Sequence, residues 1–397
     1  MENNISSNPL TETGNTGLGG GDILKQDIEK GNEIIKVQKA NVFETANVEA
    51  QLNYFSSQVK DLSKAISDMM LNDRSWQKKI VQMLTSEIMH VADGNMKTPN
   101  FCFRTKSEQN VYIYNGLIWT PMTSVQAYYD FVKQCCENAG LPETQLADVR
   151  FMEKVYEQLA YRVSKELKQR IPSDEQWINL KNGVLVIKND GSVKLRDHCR
   201  DDNFTYCLNF AYDPEATCSK WQFFLDEVLE RGPQNDIAEF VGYTLTQKIK
   251  AEKILAFYGL GSNGKSVVMA IIKALLGEEN VSEMDLGELS TNAEKRVQIE
   301  HKRLNISMES SDDINFANMK KLASGEPIDV RELYHGTRII SNYAKMMASY
   351  NVLPRAEATH GWFRRWILVP FNNIIPDEKQ DIDLADKLMT ELPGIFN

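Results

Sequence analysis

Apolar residues recur in steps of four and three from Val48 through Leu52, Phe55, Val59, Leu62, Ile66 and Met69. Trp76, Ile80 and Met83 keep the register after an interruption at Asp73. Such spacing predicts helix. Over three or four heptads it fits either a coiled-coil seam or the buried face of a helix packed on its own domain. Residues 23–98 are therefore assigned as a helical region, with an oligomerisation helix as one of the two readings. From about residue 100 the period changes. Val111–Trp119 predicts two strands around an Asn115-Gly116 turn. Val149, Met152, Val155, Tyr156, Leu159, Val163 and Leu167 trace one face of a long helix. Within Ile178–Leu195, Asn182-Gly183 and Asp190-Gly191 separate short apolar runs and predict hairpins. Residues 99–219 thus read as an α+β domain, without a cluster of catalytic type. An amphipathic helix around Trp221–Leu229 opens the last domain, 220–397. Residues 1–22, rich in Gly, Asn, Ser and Thr, predict a disordered tail.

The strongest local signal lies in that last domain. Ile254–Tyr258 is a short apolar run of buried-strand type, and Gly259-Leu-Gly-Ser-Asn-Gly-Lys265-Ser266 follows at once. Val267–Leu276 then has a helical pattern that stops at Gly277. This is G-x-x-x-x-G-K-[ST] between strand and helix. Gly259, Gly261 and Gly264 let the backbone curl, so that N–H groups along the loop, including those of Ser262, Asn263, Lys265, Ser266 and Val267, turn toward phosphate oxygens. The helix N-terminus adds its positive dipole end. Lys265 reaches the β- and γ-phosphates and the Ser266 hydroxyl ligates magnesium, so the expected cofactors are ATP and Mg2+.

Hydrolysis needs an acid near the γ-phosphate. Leu304–Met308 predicts a strand with Glu309 at its end, placed to hold the magnesium shell and orient water; Asp312 and Asp313 are weaker candidates. Another strand, Lys345–Tyr350, ends at Asn351, whose amide suits positioning of that water. Arg364 and Arg365 precede the apolar run Trp366–Phe371. An arginine offered across a subunit boundary stabilises charge on a transferring phosphoryl group.

Composition narrows the class. A chain of 397 residues, 42% of them hydrophobic, accommodates two or three domains. No apolar run reaches about 18 residues, and the N-terminus lacks the form of a secretory signal, so no membrane partner is expected. Six cysteines without C-x-x-C pairs argue against zinc and suit a reducing cytoplasm. The formal net charge of −10 argues against coating a duplex by bulk charge, so any DNA contact must be concentrated.

Taken in order, these stretches resemble the superfamily 3 helicases, in particular the phage and plasmid primase-helicases related to the poxvirus primase-helicase. The resemblance covers roughly Val111–Asn397. It rests on Ile178–Leu185, Tyr212-Asp213-Pro214, Gly242–Thr246, the Gly259–Ser266 loop, Leu322–Arg331, Asn351–Pro354 and Trp362–Phe371. It implies an α/β, AAA+-like P-loop ATPase core that assembles with itself into a ring, usually a hexamer, with ATP between subunits. Glu309 falls on the Walker B acid, Asn351 on the sensor asparagine, and Arg365 on the arginine finger with Arg364 beside it. A hairpin before the sensor strand, here Asp329–Ile340 with Arg331, His335 and Arg338, would face single-stranded or forked DNA. There are departures. Met308 stands where many relatives have a second acid, and Ser324 and Glu326 replace residues that are often Gly and Asp. No priming cluster precedes the motor, so a primase or initiator would be a separate partner. Relatives continue into further helices beyond the position of Asn397, which suggests a truncated form. The function implied is ATP-driven unwinding of DNA in replication of a phage, plasmid or other mobile element. An ATP-gated initiator scaffold that loads partners, and a nucleotide switch without hydrolysis, are the rival readings.

Overall fold

The computed structural model describes residues 48–93, 101–103, 111–122, 125–163, 167, 169–246, 250–308, 314–332, 336–353, 357, 359–376, 378 and 380–397. The expected tail at 1–22, Glu309, Asp312, Asp313 and His335 lie outside them. The chain divides into two compact units, one of residues 1–99 and 124–159, the other of 100–123 and 160–397.

In the first unit the heptad-like run is not one helix. It forms α1 (Val48–Ser57), α2 (Ser63–Asn72) and α3 (Trp76–Asp93), followed by α4 (Val125–Asn138), α5 (Glu143–Leu146) and α6 (Val149–Val163), whose last residues pass out of the unit. The first break has a cause in tertiary hydrogen bonding. The Leu62 N–H donates to Ala139 O at 2.9 Å, Asn138 Nδ2 donates to Ser56 O at 2.6 Å, and Ser56 Oγ donates to Gln134 at 2.9 Å. The end of α4 thus satisfies backbone groups that a continuous helix would have paired internally. Leu52, Val59, Ile66 and Ile80 of the stripe are buried within this unit. The coiled-coil reading therefore gives way to helices packed on their own domain.

The second unit starts with the antiparallel strands β1 (Phe101–Phe103), β2 (Val111–Tyr114) and β3 (Trp119–Pro121). The expected turn is present, with Asn115 Oδ1 accepting from the Leu117 and Ile118 N–H groups. A meander of β4 (Glu175–Leu180), β5 (Gly183–Lys188) and β6 (Val193–Arg196) follows, then α7 (Ser219–Val228) and α8 (Arg231–Leu245). Trp119, fully buried, donates from its indole to Arg200 O at 3.0 Å, and its N–H donates to Phe204 O at 2.7 Å. The expected 99–219 domain is accordingly divided, because its first strands pair with this unit while the 125–159 helices pack on α1–α3. Sequence order alone cannot reveal such an exchange.

The remaining elements are β7 (Ile254–Tyr258), α9 (Lys265–Leu276), β8 (Val281–Ser282), α10 (Leu286–Thr291), β9 (Leu304–Ser307), α11 (Phe316–Ser324), β10 (Ile328–Glu332), β11 (Gly336–Ile340), β12 (Lys345–Tyr350), α12 (His360–Phe363), β13 (Trp366–Pro370), α13 (Leu384–Met389) and α14 (Leu392–Phe396). Five strands form a parallel sheet in the order β13-β7-β12-β9-β8. Its central strands are buried runs such as Ile254–Phe257 and Met346–Ala348, as expected of a sheet covered on both faces. One hydrophobic core runs from Ile178 and Leu185 through Phe224, Ile237 and Val268 to Val369 and Leu388, so the expected boundary at 219/220 is crossed by continuous packing. The architecture is mixed α/β with a parallel sheet.

Candidate functional site

The glycine-rich loop joins the carboxyl end of β7 to α9. Gly261, Ser262 and Gly264 all have positive φ, at 107°, 46° and 86°, which turns the chain back on itself. A side chain at Gly259 would place its Cβ 2.5 Å from Phe371 O, so only glycine fits there. Asn263, 2% exposed, donates from Nδ2 to Phe371 O at 3.0 Å, and the Ile375 N–H donates to Ser262 O at 2.8 Å. The segment after β13 thereby holds the loop in shape.

Among the described residues, Lys265 and Arg296 are the cations buried to more than nine-tenths of their surface. Lys265 Nζ donates to Gly259 O, to Asn263 Oδ1 at 3.2 Å and to Asn351 Oδ1 at 3.4 Å. All three acceptors are neutral, and among the described residues no carboxylate pairs with it. Desolvation pushes its ammonium below the ordinary lysine value. By contrast, Arg296 is matched by Asp329 at 3.0 Å and by three carbonyl oxygens. Ser266, at the second position of α9, is exposed.

Sheet order explains why Asn351 reaches the loop. β12 lies between β7 and β9 with Tyr350 opposite Tyr258, so Asn351 stands beside the loop at the same sheet edge. Met308, at the end of β9, is 51% exposed on that edge. A cavity of about 1210 Å³ opens there. Gly261–Val267, Met308 and Asn351 line it, together with Phe223, Ile375 and Leu384, which the sequence pattern does not single out. An open crevice at the carboxyl ends of parallel strands is where α/β folds bind ligands. A curled backbone of N–H groups, a buried ammonium with neutral partners among the described residues and an exposed hydroxyl fit a polyphosphate with its cation.

The two arginines differ. Arg365, with an 11% exposed side chain, donates to Ser324 Oγ from Nε at 3.2 Å and from Nη2 at 3.1 Å, and from Nη1 to Gly361 O; its Nη2 also lies 3.7 Å from Glu252. Ser324, one of the departures from the family pattern, is thus its buried anchor. Arg364 is 52% exposed and touches Glu252 at 3.1 Å. The expected hairpin is present as β10 and β11 in antiparallel register, with Val330 opposite Arg338. Arg331 is 64% exposed and lies 3.8 Å from Glu294. Arg338 is not a free cation, since its two Nη atoms grip Glu300 at 2.8 and 2.6 Å. Among the described residues no group of three His, Cys, Asp or Glu is arranged to hold a metal ion, and no helix is long and apolar enough to cross a membrane.

Residues 72–230 match the family described as "D5 N terminal like", and residues 257–365 match a family of unknown function, DUF5906. A protein of Acanthamoeba polyphaga mimivirus named as a putative helicase is 25% identical over 218 residues, which are 51% of this chain and 22% of that protein. The chain thus spans well under two thirds of that relative. Among solved structures, the A form apo structure of the NrS-1 C terminal region overlaps 75% of this chain and 64% of its own, at 12% identity and a TM-score of 0.46. A further apo structure of that region overlaps 82% and 68%, at 13% identity and a TM-score of 0.47. The two family segments and the helicase-named relative support the resemblance to the motor region of the phage-type primase-helicases.

Proposed function

We propose that the chain is the ATP-hydrolysing motor of a ring-forming DNA helicase, with an AAA+-like P-loop core, acting in replication of a phage, plasmid or other mobile element. The observation that carries this reading is Lys265: a buried ammonium whose partners among the described residues are all neutral, under a loop of positive-φ backbone, in the lining of a large cavity. A triphosphate supplies negative charge to it. Bound magnesium would neutralise charge on the β- and γ-oxygens, with Ser266 as a ligand and Glu309 holding its shell. Asn351 exchanges its hydrogen bond with Lys265 for one with the attacking water. Glu309 orients that water, and an arginine of a neighbouring subunit completes the charge stabilisation. Arg331 and His335 of the hairpin meet single-stranded DNA.

Steady-state ATP hydrolysis of the wild type, Lys265→Ala and Glu309→Gln tests the chemistry. Lys265→Ala should lose both nucleotide binding and turnover, by on the order of 100-fold or more. Glu309→Gln should bind ATP and fail to hydrolyse it. Full turnover in Lys265→Ala would overturn the reading.

A further inference from the structure

Helix α7 buries Trp221, Phe224, Leu225 and Val228, the stripe expected of an amphipathic helix. Phe223 lies off that stripe and is 66% exposed. A phenylalanine on the polar side of such a helix has no packing role to explain it. Its surroundings supply one, because Phe223 lines the same cavity as the glycine-rich loop.

The position of α7 is fixed in three places. At its start, the Glu391 carboxylate accepts from the Lys220 N–H at 3.3 Å and the Trp221 N–H at 3.0 Å. Near its end, Asn373 Nδ2 donates to Glu227 O at 2.9 Å. Between them, Phe224 packs on the loop itself, with a ring carbon 3.0 Å from where a Cβ on Gly264 would stand. The helix thus rests on the last glycine of the loop, with the neighbouring side chain, Phe223, directed at the cavity. Ile375 and Leu384 give the cavity further apolar lining, and Ile375 is tied to the loop through Ser262. Asp381 and Lys387, also in the lining, pair with each other at 2.6 Å.

We propose that Phe223 is the stacking platform for the nucleobase of the bound nucleotide and gives the site a preference for purines. The proposal rests on the reading of Gly259–Ser266 as the triphosphate site. A flat ring that is preorganised and already exposed inside the cavity stacks a base without rearrangement, and a bicyclic purine covers more of it than a pyrimidine. Phe223 lies within the segment matching the D5 N terminal like family, whereas the loop lies within the other match. Base and phosphates are then held by different segments of the chain, so nucleotide binding ties them together.

The test is equilibrium binding of ATP, CTP and inorganic tripolyphosphate, each with magnesium, to the full chain and to Phe223→Ala and Phe223→Trp. Phe223→Ala should weaken ATP about 10- to 100-fold, the range of a lost base–aromatic stack. It should bring ATP close to CTP while leaving tripolyphosphate unchanged, and Phe223→Trp should restore ATP. Unchanged ATP affinity in Phe223→Ala would overturn the proposal. So would equal losses for ATP and tripolyphosphate, which would make Phe223 a support of the loop. A wild type that binds neither ATP nor tripolyphosphate would remove the nucleotide site itself, a failure distinct from that of the platform.

Discussion

Arg364 and Arg365 are adjacent in sequence yet have different surroundings. Arg365 is committed to Ser324 and Gly361 within its own chain and shares Glu252 with Arg364, and its mostly buried guanidinium would have to abandon those bonds to reach a neighbour. Arg364 holds a single carboxylate and is half exposed. A surface ion pair of that kind is worth about 0–1 kcal/mol, so it releases readily. On the proposed ring reading, Arg364 is the arginine more easily offered to a neighbouring ATP, with Arg365 as its foundation. Mixing Arg364→Ala subunits with Lys265→Ala subunits should restore hydrolysis at interfaces that combine an intact Lys265 with an intact Arg364. Mixtures that never exceed their parents, with subunit exchange confirmed by labelled chains, would exclude a trans role for Arg364. The sequence motif shows the pair but not this division, because the anchor Ser324 lies 41 residues away.

At the scale of elements, the hairpin of β10 and β11 stands where the pattern predicts it, but its charge differs from the expected set. Glu300, 38 residues upstream, takes both Nη atoms of Arg338 and leaves Arg331 as the exposed cation among its described residues. Arg331→Ala should lower single-strand affinity, with basal ATPase kept. It should also reduce the slope of log affinity against log salt by about 1 for each phosphate that is no longer neutralised. Arg338→Ala should instead cost about 1–3 kcal/mol of stability, since Glu300 is left without its bidentate partner in a mostly buried setting. Thermal melts and salt-series binding on both variants separate the two effects. An Arg338→Ala chain that melts normally and binds DNA poorly would reverse the assignment. Strands and turns with local signals, such as Lys345–Tyr350 and the Asn115-Gly116 turn, are legible in the sequence. The splitting of the long heptad run is not, because the hydrogen bonds that permit it come from Gln134, Asn138 and Ala139 at the end of a later helix.

For the whole molecule, exposed apolar side chains collect at the edge that carries the loop. Leu260 and Val352, each two residues beyond the paired Tyr258 and Tyr350, are both 79% exposed. Large apolar groups held out to water beside a charged site favour burial against another chain. Mass measurement in solution should give a multi-subunit particle that is stabilised by a non-hydrolysable ATP analogue. A monomer under every nucleotide condition would rule out the ring.

The division of the chain between two units has a consequence for its biosynthesis. Trp119 leaves the ribosome with its strand, but its indole acceptor at Arg200 follows 81 residues later. At about 5–20 residues per second, the interval is on the order of 4–16 s. Throughout that time the helices at 125–159 can already settle on α1–α3, while a large aromatic side chain and an open strand edge wait without their partners. Non-local pairing of this kind slows folding and exposes the nascent chain to association. The second unit is thus the late-folding part of the protein and the one in which a holding chaperone has most to protect.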